Sequence, residues 1–293
     1  MHFTGRTWRP PYEAHSVILQ ATSGCAYRRC SFCNLYADEP FRLSPMDEFE
    51  EDLAEIKRYQ PYARRVFLTG GNPFAMSCEN LMLRALTIRD YLIKCQSIAM
   101  FASIRDIRNK TVSQLRRLRA MGINGLTIGT ESGDDETLRL ANKGYTAEDI
   151  LAQCLKLDEA GIEYYLVYMT GLAGHGGGLR NAANSAALFS RLNPYIISVD
   201  SLTLFPGTRL FDMEKNGTFI PAAERERLQE LQTLIARLHI RTHLLANTRS
   251  NFRPITADLP REREKAIAEL QYILDTTDEA AMAEYRAGLK SLG

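Results

Sequence analysis

The sequence lacks a surplus of charge of either sign. Among 293 residues, 36 Lys and Arg face 35 Asp and Glu, a formal charge of +1, so the basic stripe expected of a nucleic-acid or anionic-membrane binder is missing. It also lacks any run of about 18 apolar residues, so no membrane-spanning helix is expected. Its start, MHFTGRTWRPPYEAH, lacks the basic, apolar, small-residue order of a signal peptide. A cytoplasmic protein is expected. Internal repeats and low-complexity segments are absent too. What is present, 45% apolar and 24% charged residues, is ordinary for a soluble globular chain, and the length suits one large α/β domain or two smaller ones.

Of six cysteines, three fall within nine residues, at Cys25, Cys30 and Cys33, and three stand alone, at Cys78, Cys95 and Cys154. Three neighbouring thiols cannot pair off without leaving one over, and a cytosolic chain keeps thiols reduced, so metal binding is expected rather than a disulfide framework. The scattered three lie in predicted helices and read as small buried apolar residues.

Short runs rich in Val, Ile, Phe, Tyr and Thr predict strands over 16–22, 65–69, 97–102, 125–129, 163–170 and 196–204. Helix starts are legible between them. Ser44-Pro45-Met46-Asp47 reads as a cap, a first-turn proline and a first-turn acid, and Thr111 to Gln114 and Thr146 to Asp149 fit capping boxes. Six strands, each followed by a helix, imply βαβ units on a parallel sheet, open or closed into a barrel. After Pro206-Gly207 the strand signal stops, and the tail reads as amphipathic helix with one irregular link over 247–259. The expected division is a partial barrel over 1–210 and a helical extension over 211–293. His175-Gly176-Gly177-Gly178 reads as a loop flexible enough to move over a site.

The clustered cysteines have the spacing C-x4-C-x2-C, in ATSGCAYRRCSFCNLY, just after the first predicted strand. In an α/β barrel the loops at the carboxyl ends of strands build the active site. Three thiolates suit three irons of a [4Fe–4S] cluster and leave the fourth open to a small chelating ligand. Structural zinc is the alternative, with a fourth ligand supplied from elsewhere, such as His15.

With these motifs the sequence resembles the radical S-adenosylmethionine (SAM) superfamily over residues 12–210. The usual signature there is C-x3-C-x2-C in a partial (β/α)6 barrel, one residue shorter than this loop. The resemblance implies that Cys25, Cys30 and Cys33 hold a [4Fe–4S] cluster whose open iron chelates SAM, with Phe32 shielding the cluster. FLTGGNP supplies Thr69, Gly70 and Gly71 for the glycine-rich turn that binds the methionine amino group. Ser103, followed by Arg105, stands where a polar residue meets the ribose. TIGTESGDDETLRLANKGYT resembles a segment of the coproporphyrinogen oxidase, Elongator and methylthiotransferase group, and would place Glu131 on the ribose or SAM and Lys143 at its carboxylate. Gly171 and Gly174 fit the adenine-side turn.

The implied chemistry is one-electron reduction of SAM, drawing on a donor such as flavodoxin or ferredoxin, to a 5′-deoxyadenosyl radical that takes hydrogen from a substrate. Tyr168, Asp200, Thr203, the HGGG loop and Ser250-Asn251-Phe252-Arg253 are candidates for the substrate shell. No C-x2-C pair remains for a second cluster, the 24 residues before Cys25 leave no room for a cobalamin domain, and the tail shows no RNA-binding barrel. A small soluble substrate is therefore expected. Among compact relatives that share the RPPYEA start, the queuine lyase type suggests queuine or a related nucleobase. The alternatives are a non-catalytic iron–sulfur or zinc protein, or an RNA or peptide substrate met by Arg28, Arg29, Arg64 and Arg65.

Overall fold

The computed structural model describes residues 1–289, and its β-branched and aromatic runs form strands close to where the sequence pattern places them. Residues 1–28, 35–129 and 153–164 make one compact unit. In it β1 (Val17–Gln20), β2 (Arg65–Thr69), β3 (Ser97–Ala102) and β4 (Ile123–Glu131, its last two residues in the second unit) pair successively in parallel. Val66, Phe67, Leu68, Ile98, Ala99 and Met100 are all buried, as strands covered on both faces require. The β3–β4 register shifts between Ile98↔Ile123 and Met100↔Leu126. The extra residue in β4 is accommodated at Gly125, whose φ of +89° suits a bulge. Ahead of β1, the RPPYEA segment makes a short 3₁₀ turn whose buried Glu13 pairs with Arg65.

Helices α1 (Met46–Tyr59), α2 (Cys78–Tyr91), α3 (Ile104–Arg108) and α4 (Val112–Ala120) cover these strands. The expected capping box opens α4, with Thr111 and Gln114 satisfying each other's backbone N–H groups. Thr111→Ala is expected to lower unfolding stability by about 1 kcal/mol in urea titration; an unchanged midpoint would mean that the box is redundant. At α1 the expected cap is corrected. Pro45 takes the N-cap position, and the Ser44 backbone is engaged elsewhere, its N–H donating to the Ala21 carbonyl and its carbonyl accepting from Arg84. Helix α2 likewise stops at Tyr91 rather than reaching Cys95, which lies in the turn into β3 with its N–H on the Leu92 carbonyl.

Of the described residues, 29–34, 130–152 and 165–289 make the second unit. Here β5 (Tyr164–Thr170, its first residue in the first unit), β6 (Ile196–Ser201) and β7 (Thr242–Ala246) pair in parallel, and β8 (Ile255–Leu259) runs antiparallel to β7. The last two strands correct the expectation of a helical tail interrupted only by an irregular link over 247–259. THLLA buries Thr242, Leu244 and Ala246 in alternation, a five-residue signal too short to stand out, and it stays extended because β6 supplies its ladder hydrogen bonds. Helices α5 (Asp135–Leu140), α6 (Ala147–Ala160), α7 (Gly178–Phe189), α8 (Arg209–Lys215), α9 (Glu224–Arg237), α10 (Arg263–Thr276) and α11 (Glu279–Ala287) complete the chain. The box at the start of α6 is the expected one, Thr146 with Asp149.

Among the described residues the strands of each unit lie side by side in chain order, β1 to β4 in the first and β5 to β8 in the second, and each of the first six is followed by a helix. The fold class is α/β with a mostly parallel sheet, as expected. The last four residues of the expected 211–293 extension fall outside the described part. Among the described residues no helix is long and apolar enough to cross a membrane.

Candidate metal and cofactor site

The cysteine loop leaves a two-residue ribbon, Thr22–Ser23 against Arg42–Leu43, and its two ends are fastened separately. In the first unit, the Gly71 N–H donates to the Gly24 carbonyl at 2.8 Å and the Ala26 N–H to the Asn72 side chain at 2.9 Å. Glycine is required at both turn positions. Gly70 has φ +125°, and a Cβ on Gly71 would stand 2.1 Å from the Gly24 carbonyl oxygen and 2.6 Å from Cys25 Cα, so only a bare backbone lies this close. Thr69 is fully buried with its hydroxyl on the Trp8 carbonyl. Ser103 caps α3 in a box with Asp106, and the Arg105 guanidinium lies 4.6 Å from the centre of the Tyr27 ring. Asn72 and Asp106 escaped the sequence reading, although one directly follows Gly70-Gly71 and the other sits at a readable capping position.

In the second unit the loop's other end is stitched to the segment after α5. The Ser31 N–H donates to the Ala141 carbonyl at 3.0 Å, the Ser31 hydroxyl to the Leu140 carbonyl at 2.7 Å, and the Asn142 side chain to the Arg29 carbonyl at 2.7 Å. Phe32 packs on an apolar cluster of Ala141, Leu172, Leu202, Leu210 and Phe219. Lys143 is buried, 3.3 Å from Glu131 and 5.7 Å from the ring centres of both Phe32 and Tyr145. Burial works against the Lys143 ammonium, but the Cys30 sulfur, the Tyr145 phenol and the Glu131 carboxylate outweigh it and hold its pKa well above the ordinary lysine value. Glu131 ends β4 with φ +64°, a backbone state that costs a residue with a side chain about 1–3 kcal/mol. Its second carboxylate oxygen is buried without a partner. A left-handed backbone and an unanswered acceptor thus fall on one residue.

Several substrate-shell candidates prove to be framework. Tyr168 lies in the core, its hydroxyl 2.6 Å from Glu230. Glu230 also accepts the Gly171 N–H at 2.7 Å and the Asn181 side chain at 2.7 Å, and burial pushes its carboxyl up to about 7. A Cβ on Gly171 would meet the Arg227 guanidinium at 2.9 Å, and one on Gly174 the Phe219 ring at 2.9 Å, so both glycines admit parts of the chain's own C-terminal half. The HGGG segment is held rather than free, because Glu226 in the first turn of α9 accepts from His175 and Gly176. Asp200 accepts from Thr248 and Ser250, Thr203 from Arg286, and Asn251 donates to the Val199 carbonyl. Arg253 remains exposed.

Cys25 and Cys30 are half-buried and Cys33 is exposed. Among the described residues no three His, Cys, Asp or Glu side chains converge into a metal-holding group, and His15, the zinc alternative's fourth ligand, is exposed. The residues nonetheless fit the expected cofactors in their chemistry: soft thiolates are the donors an iron–sulfur cluster takes, a double-glycine turn offers bare backbone, and Glu131 holds a free acceptor for SAM ammonium or hydroxyl groups.

A family model described as the Radical SAM superfamily matches residues 19–177. The heme chaperone HemW of Bacillus subtilis is 25% identical over 205 residues, 67% of this chain and 53% of that protein, so the chain spans about half the length of that curated relative. Coproporphyrinogen III oxidase (HemN) from Escherichia coli superposes with a TM-score of 0.56 at 18% identity, covering 75% of this chain and 51% of the other. Methylornithine synthase (PylB) gives 0.55 at 15%, covering 92% and 85%. Likeness at these identities shows the fold.

Proposed function

The chain belongs to the radical SAM superfamily, whose enzymes use a [4Fe–4S] cluster and SAM, and from that premise we propose that it binds both and acts on a small soluble substrate. The observation that carries this reading is Glu131: a strained, buried carboxylate with one oxygen unpartnered, beside a buried lysine that lies over Phe32 of the cysteine motif. In this reading Cys25, Cys30 and Cys33 ligate the cluster. Gly70 and Gly71 offer backbone to the methionine end of SAM, Ser103, Arg105 and Glu131 its ribose side, and Lys143 its carboxylate. Gly171 belongs to the adenine-side turn, while Thr69 acts by fixing the strand end. When bound, the cluster and SAM supply a carbon radical able to remove hydrogen from an unactivated C–H bond. The protein's own part is to hold both cofactors and keep water from the reacting atoms.

The deciding experiment is anaerobic reconstitution with iron and sulfide, followed by the optical and electron paramagnetic resonance spectra before and after SAM is added. A brown protein whose reduced signal changes with SAM, and which then releases 5′-deoxyadenosine under a flavodoxin or ferredoxin system, is the expected result. A colourless zinc protein, or a cluster indifferent to SAM, would sink the proposal. For the substrate, a nucleobase of the queuine type is the reading favoured by the near-neutral charge and the RPPYEA start. It predicts a queuine-dependent rise in 5′-deoxyadenosine together with 7-aminomethyl-7-deazaguanine; no change in either removes queuine and leaves the class. A lyase reaction in the cytoplasm belongs to the same proposal.

A further inference from the structure

We infer that Asn72 and Asp106 are positioning residues for the cysteine loop: the Asn72 carboxamide, locked by the Asp106 carboxylate, fixes the backbone just after Cys25. The inference rests on the reading that this loop holds the cluster. Asn72 is 5% exposed. Its Oδ1 accepts the Ala26 N–H at 2.9 Å, and its Nδ2 donates to Asp106 Oδ2 at 2.9 Å. That same Oδ2 accepts the Ser103 N–H at 2.8 Å, and the Ser103 hydroxyl accepts the Asp106 N–H at 3.3 Å. One carboxamide therefore ties together the turns that follow β1, β2 and β3. All of these residues lie in the first unit.

The chemistry at position 72 is narrowly specified. The site asks for an acceptor toward a backbone N–H and a donor toward a carboxylate, and the asparagine carboxamide supplies the two on separate atoms, Oδ1 and Nδ2. Aspartate would set a second carboxyl against Asp106, a pair that must take up a shared proton to stay together, and alanine would leave the Ala26 N–H and Asp106 short of a partner. Both polar ends of Asn72 are spent within the chain, so it acts on a ligand only through the loop. The frame behind it is stiff. Lys110, 4% exposed, donates to the Phe74 carbonyl at 2.8 Å, the Met76 carbonyl at 3.0 Å and the Asp106 carbonyl at 3.3 Å, with its ammonium 4.5 Å from the centre of the Phe74 ring. The loop after β2 is thus fixed on both sides of the carboxamide.

Ala26 makes a clean reporter. The residue itself is exposed and its amide donates to Asn72, so exchange at that amide reads the opening of this bond. Hydrogen exchange on the metal-free full chain should show that amide exchanging about tenfold faster in Asn72→Ala, the weight of one hydrogen bond, with amides of α2 unchanged. Asp106→Asn keeps a carbonyl facing both donors and should hold Ala26 within about twofold of the parent. If Asn72→Ala loosens α2 as well, Asn72→Leu decides, since it keeps the shape of the side chain without the acceptor and should raise Ala26 exchange with α2 intact. After anaerobic reconstitution, a chelator should strip iron from Asn72→Ala about tenfold faster, and the KM for SAM should rise about tenfold with kcat within threefold. Unchanged Ala26 exchange in Asn72→Ala overturns the inference, as does unchanged iron loss and KM in a variant whose Ala26 has been released. A parent chain that takes up no cluster sinks the proposed function instead, and leaves the exchange result standing as a statement about the loop.

Discussion

Cys30→Ala is expected to lose the iron–sulfur colour and SAM cleavage together while leaving the fold in place. The proposed cluster rests on three thiolates, and a loop reduced to two should hold it poorly. The structure separates this loss from misfolding. The backbone around Cys30 is held through its neighbours, with Ser31 bonded to the Ala141 and Leu140 carbonyls and Arg29 accepting from Asn142, ties that remain when the side chain at position 30 is shortened. The metal-free variant should therefore fold and melt within a few degrees of its parent, about 1 kcal/mol or less, because those backbone ties stay in place. Cys95→Ala is the matched control. That thiol sits in the turn before β3, 3.6 Å from the Ser97 carbonyl, and burial pushes its pKa up, as expected of a packed rather than ligating cysteine. Its removal should cost about 1 kcal/mol and no iron. The cluster site is wrong if Cys30→Ala retains iron and 5′-deoxyadenosine production while Cys95→Ala loses both.

Gly71→Ala should come close to the same loss of function by a purely steric route. Gly71 has no positive φ, so alanine meets no backbone penalty of its own. The added methyl would fall 2.1 Å from the Gly24 oxygen, 2.6 Å from Cys25 Cα and 2.7 Å from the Gly24 carbonyl carbon. These are backbone atoms and cannot swing aside as a side-chain tip would, so the cysteine loop must move. Overpacking of this kind costs about 2 kcal/mol or more, equivalent to about thirtyfold in SAM affinity if borne by the site. Isothermal titration of SAM into reconstituted protein, with iron content measured in parallel, reads the effect. Gly161→Ala supplies the contrast, since its φ is +69° but nothing lies within 4 Å; it should lose about 1 kcal/mol of stability and keep normal SAM binding. Equal SAM affinity in Gly71→Ala and its parent would show that the turn does not abut the cofactor loop.

The difference between these two glycines illustrates how much of the site was legible in advance. Both stand in strand or helix punctuation, and the sequence marks them alike. Only the atoms placed opposite them, the cysteine loop in one case and open space in the other, separate a functional glycine from a turn-former. Lys143 shows the same limit from the other direction. A lysine after an Asn near a helix end reads equally well as solvated surface or as a ligand, and it is the approach of Glu131, Phe32 and Tyr145 that buries it.

What the sequence by itself determined is whatever depends on local spacing. The β-rich runs and capping boxes give alternating strands and helices, and C-x4-C-x2-C with Gly70-Gly71 gives the motif positions, because period and turn chemistry act over a few residues. Tertiary structure alone decided what depends on partners distant in the chain. THLLA and Ile255–Leu259 became strands because β6 and β7 supplied ladder bonds. Glu131 was driven into a left-handed backbone with an unpartnered oxygen by the elements packed around it. Asn72 became the tie between three loops because Ala26, 46 residues away in sequence, and Asp106, 34 away, were brought within a hydrogen bond of one carboxamide. No local signal encodes such a meeting, because its free energy exists only once the sheet has set those loops side by side.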